Sequence, residues 1–271
     1  MLKKRIVATI IVYDGIAVQS IGFKKYLPVG SPIIVAEFLN DWGIDEIILL
    51  DISATRNLKK PNYKLIGDVA SVCHVPLSIG GGIKTLDAAS NVIMSGADKI
   101  VVNQLCINSP KLLMDIKDRF GKQAVVGSID VKKTKNEYFV FDYLKNENLP
   151  LRPQNYVKKL EDFGVGEILL NSVDRDGSKT GFDLSLIQMI SKVIKIPMIC
   201  IGGAGSPNHF KEVFKLDNIW AVGASNFFHF TEHSVTITKA ILKDSVKIRQ
   251  DTEFDYSKHS FDETGRLKKI I

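Results

Sequence analysis

The sequence is poor in cysteine and contains no long apolar run. Its three cysteines, Cys73, Cys106 and Cys200, are odd in number and share no CxxC spacing, which argues against a disulfide framework and favours a reducing cytoplasm. No stretch approaches the roughly 20 consecutive apolar residues of a membrane-spanning helix. The opening MLKKRIVATIIVYDG resembles a signal peptide, but its apolar part is short and lacks a cleavage site, so it predicts a first strand.

Metal-binding, nucleotide-binding and nucleic-acid-binding motifs are also missing. The five histidines show neither HExxH nor another paired spacing, so we expect no metal. The glycine-rich segments match neither GxGxxG nor a Walker loop, so we expect no nucleotide cofactor. The net charge of +6 comes from scattered Lys and Arg. It fits an anionic small substrate or partner at least as well as nucleic acid, which we do not expect to bind.

The chain does contain a regular alternation of short apolar runs and amphipathic segments. Near-continuous apolarity is typical of strands that are buried on both faces of a parallel sheet. Eight such runs occur, at residues 5–12, 46–51, 76–81, 99–103, 124–130, 167–172, 197–203 and 219–225. Helical segments such as 31–43, 84–96 and 109–121 end at glycine, as capped helices do. The pattern predicts a closed (β/α)8 TIM barrel, with an open doubly wound sheet as the alternative.

An internal repeat favours the closed barrel. GIDEIILLD (43–51) resembles VGEILLNS (165–172), and VPLSIGGGI (75–83) resembles IPMICIGGAG (196–205), both at an offset of about 120 residues. Two halves of four strand–helix units each would give a barrel of pseudo-twofold symmetry. We therefore predict one barrel domain over residues 1–243. A polar tail over residues 244–271 would cover the surface or be loosely held.

Each half carries a glycine-rich turn between a strand and the following helix. Backbone N–H groups left bare by glycine, beside a helix N-terminus, bind anions without a charged side chain. One strand later, each half has a small or polar strand end, at Asn103 and at Ala224 and Ser225. Such ends lie side by side on the catalytic face of a barrel. Two anion sites predict a substrate with a phosphate at each end. The alternative is that the glycines only permit tight turns between strand and helix.

Charged residues mark both ends of the predicted strands. Four carboxylates follow strands and are candidates for acid–base chemistry, namely Asp51, Asp130, Asp174 and Asp176. A helix N-terminus or a surface ion pair is the alternative explanation for Asp174. At the opposite end, two cations and two anions open strands: Arg5, Glu46, Lys99 and Glu167. On that face such a cluster usually stabilises the barrel.

These segments together resemble the HisF family, the cyclase subunit of imidazole glycerol phosphate synthase. The resemblance extends to about residue 243 and includes LLDISAT, PLSIGGGIKTLDAAS, SGADKIVVNQ, DRFGKQAVVGSID, GVGEILLNSVDRDGSKTGFDL and GASNFFHF. The sister isomerase of histidine biosynthesis shares the half-barrel plan, but DRDGSKTG and FFHF match the cyclase. The resemblance implies a HisH-type glutaminase partner whose ammonia passes through the barrel. There it would attack a bis-phosphorylated ribulosyl-formimino-carboxamide ribotide, giving imidazole glycerol phosphate and aminoimidazole carboxamide ribotide.

The resemblance also implies a role for each matching position. Asp130 would be catalytic, and the substrate and its phosphates would contact Asp51, Gly82, Asn103, Asp176, Gly177, Gly203, Ala224 and Ser225. Arg5, Glu46, Lys99 and Glu167 would form a charged gate that admits ammonia, and Asp98 would face the glutaminase. A narrow apolar bore favours neutral ammonia, because stripping water from an ammonium ion is costly.

The resemblance fails at the predicted catalytic end. Of the family's two catalytic aspartates, Asp130 holds one position and Ile11 the other, and isoleucine cannot carry a proton. Asp14 is no obvious substitute. The family's first-loop lysine, its Thr-Gly after strand five and its serine before the seventh-strand glycines are also replaced, by Gln19, by Leu149 and Pro150, and by Ile201.

All four gate residues remain, so we predict a diverged paralogue that passes ammonia to another acceptor. By the resemblance, that acceptor would be an acetamido sugar of surface-polysaccharide biosynthesis, amidinated by a further amidotransferase. A genuine cyclase with a replacement base is the main alternative. A scaffold that only binds or activates the glutaminase is the third.

Overall fold

The computed structural model describes residues 3–250, 254, 256, 258–262 and 266–268. The strands are β1 (Arg5–Tyr13), β2 (Ile16–Ile21), β3 (Lys25–Gly30), β4 (Glu46–Asp51), β5 (Leu77–Gly80), β6 (Lys99–Val102), β7 (Val125–Thr134), β8 (Glu137–Asp142), β9 (Glu147–Asn148), β10 (Glu167–Ser172), β11 (Met198–Ile201) and β12 (Ala221–Ala224). The helices are α1 (Pro32–Asp41), α2 (Ile52–Arg56), α3 (Tyr63–Val72), α4 (Leu86–Met94), α5 (Gln104–Asn108), α6 (Pro110–Phe120), α7 (Pro153–Asp162), α8 (Leu184–Ser191), α9 (Pro207–Phe214) and α10 (Ser234–Leu242).

Eight of these strands close into a parallel barrel. Their order is β1, β4, β5, β6, β7, β10, β11 and β12, and the circle closes where β12 pairs with β1. The two halves meet where β6 pairs with β7 and where β12 pairs with β1. An open sheet would leave two unpaired edges, whereas each of these eight strands has a parallel partner on both sides. The predicted (β/α)8 fold is confirmed, and the doubly wound alternative is wrong.

Two antiparallel extensions rise from the barrel at places where the sequence analysis foresaw none. Strand β2 pairs with β1 and β3, and β8 pairs with β7 and β9. Both first turns have two central residues with positive φ, Asp14 and Gly15 in one and Lys135 and Asn136 in the other. Such turns match the twist of a β-hairpin. Strands β1 and β7 therefore run on past the barrel and build walls above its carboxyl-terminal end.

Side-chain alternation along each barrel strand separates two apolar cores. The larger core lies between the barrel and its helices, and on β1 it contains Ile6, Ala8 and Ile10. The smaller core fills the barrel interior and consists of Val7, Ile48, Val101, Val126, Leu169, Ile199 and Ala221, with Leu50 and Ile201 packed against it. Because successive residues of a strand point to opposite faces, one apolar sequence run supplies both cores.

The internal repeat appears as equivalent backbone contacts in the two halves. A Cβ atom on Gly81 (φ +112°) would lie 2.2 Å from the carbonyl oxygen of Asp51. A Cβ atom on Gly202 (φ +95°) would lie 2.9 Å from the carbonyl oxygen of Ser172. In each half, the glycine turn thus packs directly on the end of the preceding strand. This close approach explains why both halves need glycine there.

The chain continues to pack against the barrel beyond the predicted boundary at residue 243. Lys4 donates its backbone N–H to Lys247 at 2.8 Å, and Val246 and Ile248 are buried in the outer core. Farther on, the Phe254 ring stacks on His233 at 4.0 Å, and the Tyr256 hydroxyl lies 2.5 Å from His233 Nδ1. Tail positions 251–253, 255, 257, 263–265 and 269–271 lie outside the described residues. No helix within the described part of the chain is long and apolar enough to span a bilayer.

Candidate functional site

A cavity of about 500 Å³ opens at the carboxyl-terminal ends of the barrel strands. Every residue to which the resemblance gives a substrate or catalytic role lines it: Asp51, Gly82, Asn103, Asp130, Asp176, Gly177, Gly203, Ala224 and Ser225. Asp174, the fourth carboxylate considered for acid–base chemistry, does not line it and instead accepts the backbone N–H of Lys133 at 2.6 Å. These positions are spread over most of the sequence, and the closed barrel brings them into one chamber. Their individual roles stay predictions, but their placement in a single cavity is an observation of the structure.

Asp130 lies near the floor of this cavity, at 6% exposure. The side-chain amide of Asn103 donates to its Oδ2 at 2.9 Å, and the amide of Asn171 donates to its Oδ1 at 3.0 Å. Burial raises the pKa of Asp130 to about 7, against the opposing effect of these two hydrogen bonds. A carboxyl with that pKa exchanges protons readily near neutral pH, so Asp130 is chemically suited to acid–base work.

Asn171 is a cavity residue that the sequence analysis did not single out. It pairs with Asp130 in the parallel ladder between β10 and β7. The signal was present, because residues 167, 169 and 171 alternate toward the barrel interior and Asn171 ends an otherwise apolar run. A period-of-two register drawn on every predicted strand would have found it.

No carboxylate in the described structure faces Asp130 from β1. Ile11 occupies that wall, half-buried among the cavity residues. Asp14 lies in the turn beyond, 54% exposed at its side chain and 4.0 Å from Lys59. Gln19 lies on β2 without lining the cavity, whereas Ile201 lines it. Leu149 and Pro150 do not line the cavity either. Ile11 and Ile201 therefore give the chamber apolar walls, and none of the replaced positions supplies a second acid.

The β2–β3 hairpin is fastened to one rim of the cavity. The Ser20 hydroxyl donates to Asp176 Oδ2 at 2.6 Å, and the backbone N–H of Phe23 donates to the same oxygen at 3.1 Å. The Asn226 amide donates to the Ser20 carbonyl at 2.7 Å. Burial raises the pKa of Asp176, although these hydrogen bonds act in the opposite direction. Asp176 thus holds the first loop in place as well as lining the chamber.

The glycine turns have structural duties that limit how they could bind an anion. The backbone N–H of Gly82 donates to Thr55 Oγ1 at 3.0 Å, so this group is already engaged. A Cβ atom on Gly203 would lie 2.1 Å from the Gly181 carbonyl oxygen. Asp51 accepts hydrogen bonds from the backbone N–H groups of Ser53 and Ala54 and thereby caps α2. By contrast, the buried Ser225 hydroxyl has no partner in the described structure and is available to a ligand.

At the opposite end of the barrel, the four predicted gate residues form a closed ring of ion pairs. Arg5 contacts both Glu46 and Glu167, and Lys99 Nζ lies 2.9 Å from each of the same two carboxylates. Ser78 adds a hydroxyl donor to Glu46 at 3.1 Å. Burial acts to raise the pKa of Glu167, but the charges of Arg5 and Lys99 outweigh it and lower that pKa.

The interior between the ring and the cavity is mostly apolar. Val7, Ile48 and Val126 belong to its packed core. Thr9 lies on the cavity floor at 2% exposure, and its hydroxyl has no hydrogen-bond partner in the described structure. Asp98, the predicted contact to a partner, is exposed beside the ring and accepts the Leu77 backbone N–H at 2.8 Å.

Comparison with known proteins places this architecture in a family. A family model described as histidine biosynthesis protein matches residues 5–234. The HisF subunit of imidazole glycerol phosphate synthase from Saccharolobus solfataricus is 42% identical over 229 residues, which are 84% of this chain and 91% of that protein. The HisF subunit of Thermotoga sp. (strain RQ2) is 39% identical over 243 residues, 90% of this chain and 96% of that protein.

One relative matches farther along the chain. A Vibrio vulnificus (strain YJ016) protein named "Putative imidazole glycerol phosphate synthase subunit hisF2" is 37% identical over 267 residues, 98% of both chains. That alignment takes in most of the segment after residue 243. Since the family model spans all eight barrel strands and these relatives align over most of the chain, the chain belongs to the HisF family of imidazole glycerol phosphate synthase subunits.

Proposed function

We propose that this HisF-type chain receives ammonia from a HisH-type glutaminase and passes it through the barrel to an acceptor other than the histidine precursor. The acceptor in this proposal is an acetamido sugar of surface-polysaccharide biosynthesis, which a separate amidotransferase converts to an acetamidino sugar. The observation that carries the proposal is the contrast between the complete ion-pair ring at one end and, at the other, a cavity in which Ile11 stands on the β1 wall where the resemblance expects a second catalytic carboxyl beside Asp130.

The ring supports entry of ammonia at the amino-terminal face. Its four side chains form ion pairs with one another, so the ring is closed at rest. The side chains of Arg5 and Lys99 nevertheless keep 27% and 20% exposure. A docked partner could therefore reach the cations and shift them. Exposed Asp98 lies next to Lys99 and adds a negative charge to that face.

The apolar barrel interior favours passage of a neutral molecule over passage of an ion. Desolvating ammonium costs far more than desolvating ammonia. The unpartnered Thr9 hydroxyl, on the floor of the cavity, would give arriving ammonia a hydrogen-bonding group between the packed interior and the cavity. Proton transfer at Asp130, which lines the same cavity, would follow only after this point.

The mouth argues for a changed acceptor. Loss of one general acid or base typically costs about 10²–10⁴-fold in rate, and Ile11 leaves Asp130 without its second acid.

The alignment with the hisF2 protein of Vibrio vulnificus covers 98% of this chain, against 84% for the Saccharolobus HisF subunit. The segment after the barrel is thus shared with a protein whose name sets it apart from the standard subunit.

The proposal is tested by measuring ammonia transfer from the glutaminase and conversion of the ribotide in separate assays. The wild-type chain should stimulate glutamine hydrolysis by the glutaminase encoded in the same genome, and Lys99→Met should uncouple that hydrolysis from ammonia transfer. Lys192→Met, at an exposed lysine after α8, should behave as wild type. With ammonium salt supplied, the chain should fail to convert the bis-phosphorylated ribotide. Turnover of that ribotide would instead establish the cyclase.

The cyclase itself remains the second candidate, because one observation favours it. Asp130 has a pKa of about 7 and shares its cavity with both glycine turns. The two glycine turns are the groups that a bis-phosphorylated substrate would need at its two ends, and Asp130 is the group that would exchange a proton with it. A scaffold that binds the glutaminase without passing ammonia would show docking but no effect of Lys99→Met.

A further inference from the structure

The loops around the cavity mouth expose large apolar side chains at an unusual density. Leu58 is 76% exposed and Leu144 is 42% exposed, and both line the rim of the cavity. Ile21 is 37% exposed and packs beside Gly177. Phe23 adds a half-buried ring to the same rim. An exposed apolar patch with a polar border usually marks a surface that another molecule covers.

These side chains come from three loops that contact one another through Arg56. Its guanidinium lies 5.8 Å from the ring centre of Tyr26 in β3 and 6.0 Å from the ring centre of Tyr143 after β8. It also donates to the Tyr26 hydroxyl at 3.3 Å. The hairpin, the α2 loop and the β8–β9 turn are therefore one continuous surface. We define the mouth patch as Ile21, Phe23, Arg56, Leu58 and Leu144 with the lysines that surround them.

Leu58 is displayed by a backbone that few leucines adopt. Its φ is +55°, in the left-handed region that bulky side chains avoid. The neighbouring N–H of Lys59 is fixed to the Ala54 carbonyl at 2.8 Å, which holds the turn. The barrel thus keeps an apolar side chain in water at some cost in stability, without using it in either core.

The border of the mouth patch is strongly positive. Segments 14–30, 52–62, 81–85 and 143–147 together contain seven Lys or Arg and two acidic residues, Asp14 and Glu147. Lys24, Lys25, Lys59, Lys60 and Lys84 are all exposed. A small phosphorylated substrate would account for cations inside the cavity. Of the five lysines, Lys84 lines the cavity, and a substrate would not account for the other four or for the exposed leucines at the rim.

We infer that the mouth patch is a docking surface for a protein with an acidic rim and an apolar centre, namely the enzyme that accepts the ammonia. The inference rests on the proposed function. Ammonia that reached an open cavity would be protonated and lost to water, so a chain without its own acceptor chemistry needs its mouth covered. Apolar contact at the centre provides the seal, and opposite charges at the rim steer and orient the partner.

The test measures binding of one defined probe, a purified amidotransferase that converts an acetamido sugar to an acetamidino sugar, by calorimetry and in the presence of the glutaminase. Leu58→Asp should raise the dissociation constant at least tenfold. Met94→Asp is the matched control, because Met94 on α4 is 75% exposed and lies away from the mouth. Lys59→Glu with Lys60→Glu should weaken binding several-fold, more at low salt, whereas Lys192→Glu should not.

Glutaminase stimulation is measured on the same variants and separates the two ideas. If Leu58→Asp lowers probe binding while glutamine hydrolysis is still stimulated, the docking surface is supported. If hydrolysis is never stimulated, the proposed function fails whatever the probe does. The docking inference is overturned if the probe does not bind, or if it binds the Leu58→Asp and Met94→Asp variants equally. It is also overturned if the mouth patch proves to pair two copies of this chain in sedimentation.

Discussion

The two ends of the barrel differ in how much of their expected machinery they keep. At the amino-terminal end, four charged residues contributed by four strands meet in a ring in which each cation contacts both anions. At the carboxyl-terminal end, Asp130 is held by Asn103 and Asn171, but the facing wall carries Ile11. One end of the same sheet is therefore complete as an electrostatic unit, whereas at the other a buried carboxyl shares the cavity with an apolar β1 wall.

The difference teaches that the two ends are physically separable. The ring depends on register at the strand starts, which the closed barrel fixes whatever the loops do. The mouth depends on loops and on single strand-end residues, which can change without disturbing the cores. A barrel of this kind can thus change at its mouth while the ion-pair ring at the other end stays intact.

Lys99→Met should have the largest effect on stability. It leaves Glu46, at 1% exposure, and Glu167 to share Arg5 alone. Removing one partner from a buried ion pair strands the remaining charge, and we expect a loss of about 4 kcal/mol in unfolding free energy. Urea denaturation at neutral pH measures it.

A rescue experiment checks that charge is the cause. Lys99→Met combined with Glu46→Gln should recover part of the loss, because the extra carboxylate is gone. The pKa of Glu167 is lowered in the fold, so its stabilising contribution is present above the unfolded pKa and disappears as pH falls through the folded one. The gap between wild type and Lys99→Met should therefore narrow in acid. A gap that stays constant at all pH values would show that packing, and not charge, is responsible.

Truncation after residue 243 should have the next largest effect. It removes Val246 and Ile248, which are buried at 8% and 5% exposure beside the strand starts. Burial of one aliphatic side chain is worth about 1.5–3 kcal/mol, so we expect a loss of about 3 kcal/mol relative to truncation after residue 250. Equal stability of the two truncated chains would place the domain boundary at 243 after all.

Asp130→Asn should change stability in a pH-dependent way. Between an unfolded pKa of about 4 and a folded pKa of about 7, the folded protein holds a proton that the unfolded chain has lost. Rising pH therefore destabilises the wild type over this range, and the variant lacks the effect. Relative to wild type, Asp130→Asn should gain about 2 kcal/mol between pH 5 and pH 8. Parallel stability profiles would mean that Asp130 does not titrate near neutrality.

The sequence predicted the barrel and the meeting of the ring residues well, for a physical reason. Buried parallel strands appear in the sequence as continuous apolar runs. A charged residue that opens such a run must lie at the amino-terminal end of the barrel, beside the charged residues that open the other strands. It predicted the two hairpins and Asn171 poorly. The hairpins depend on two-residue turns such as Asp14–Gly15, whose conformation is local and easily overlooked. Engagement of the Gly82 N–H by Thr55 depends on a contact between distant segments, which no local pattern reveals.

Ile11→Asp should have the smallest effect on stability and the clearest meaning for function. The side chain lines the cavity and is only half-buried, so a carboxylate there can reach water, and we expect a loss of about 1 kcal/mol. Cyclase activity with the bis-phosphorylated ribotide and ammonium salt should not return. Gln19, Leu149, Pro150 and Ile201 still replace other parts of the site, and acid–base chemistry needs a positioned substrate as well as a proton carrier. Strong turnover by this single variant would mean that the aspartate at position 11 is all that the mouth lacks for cyclase activity.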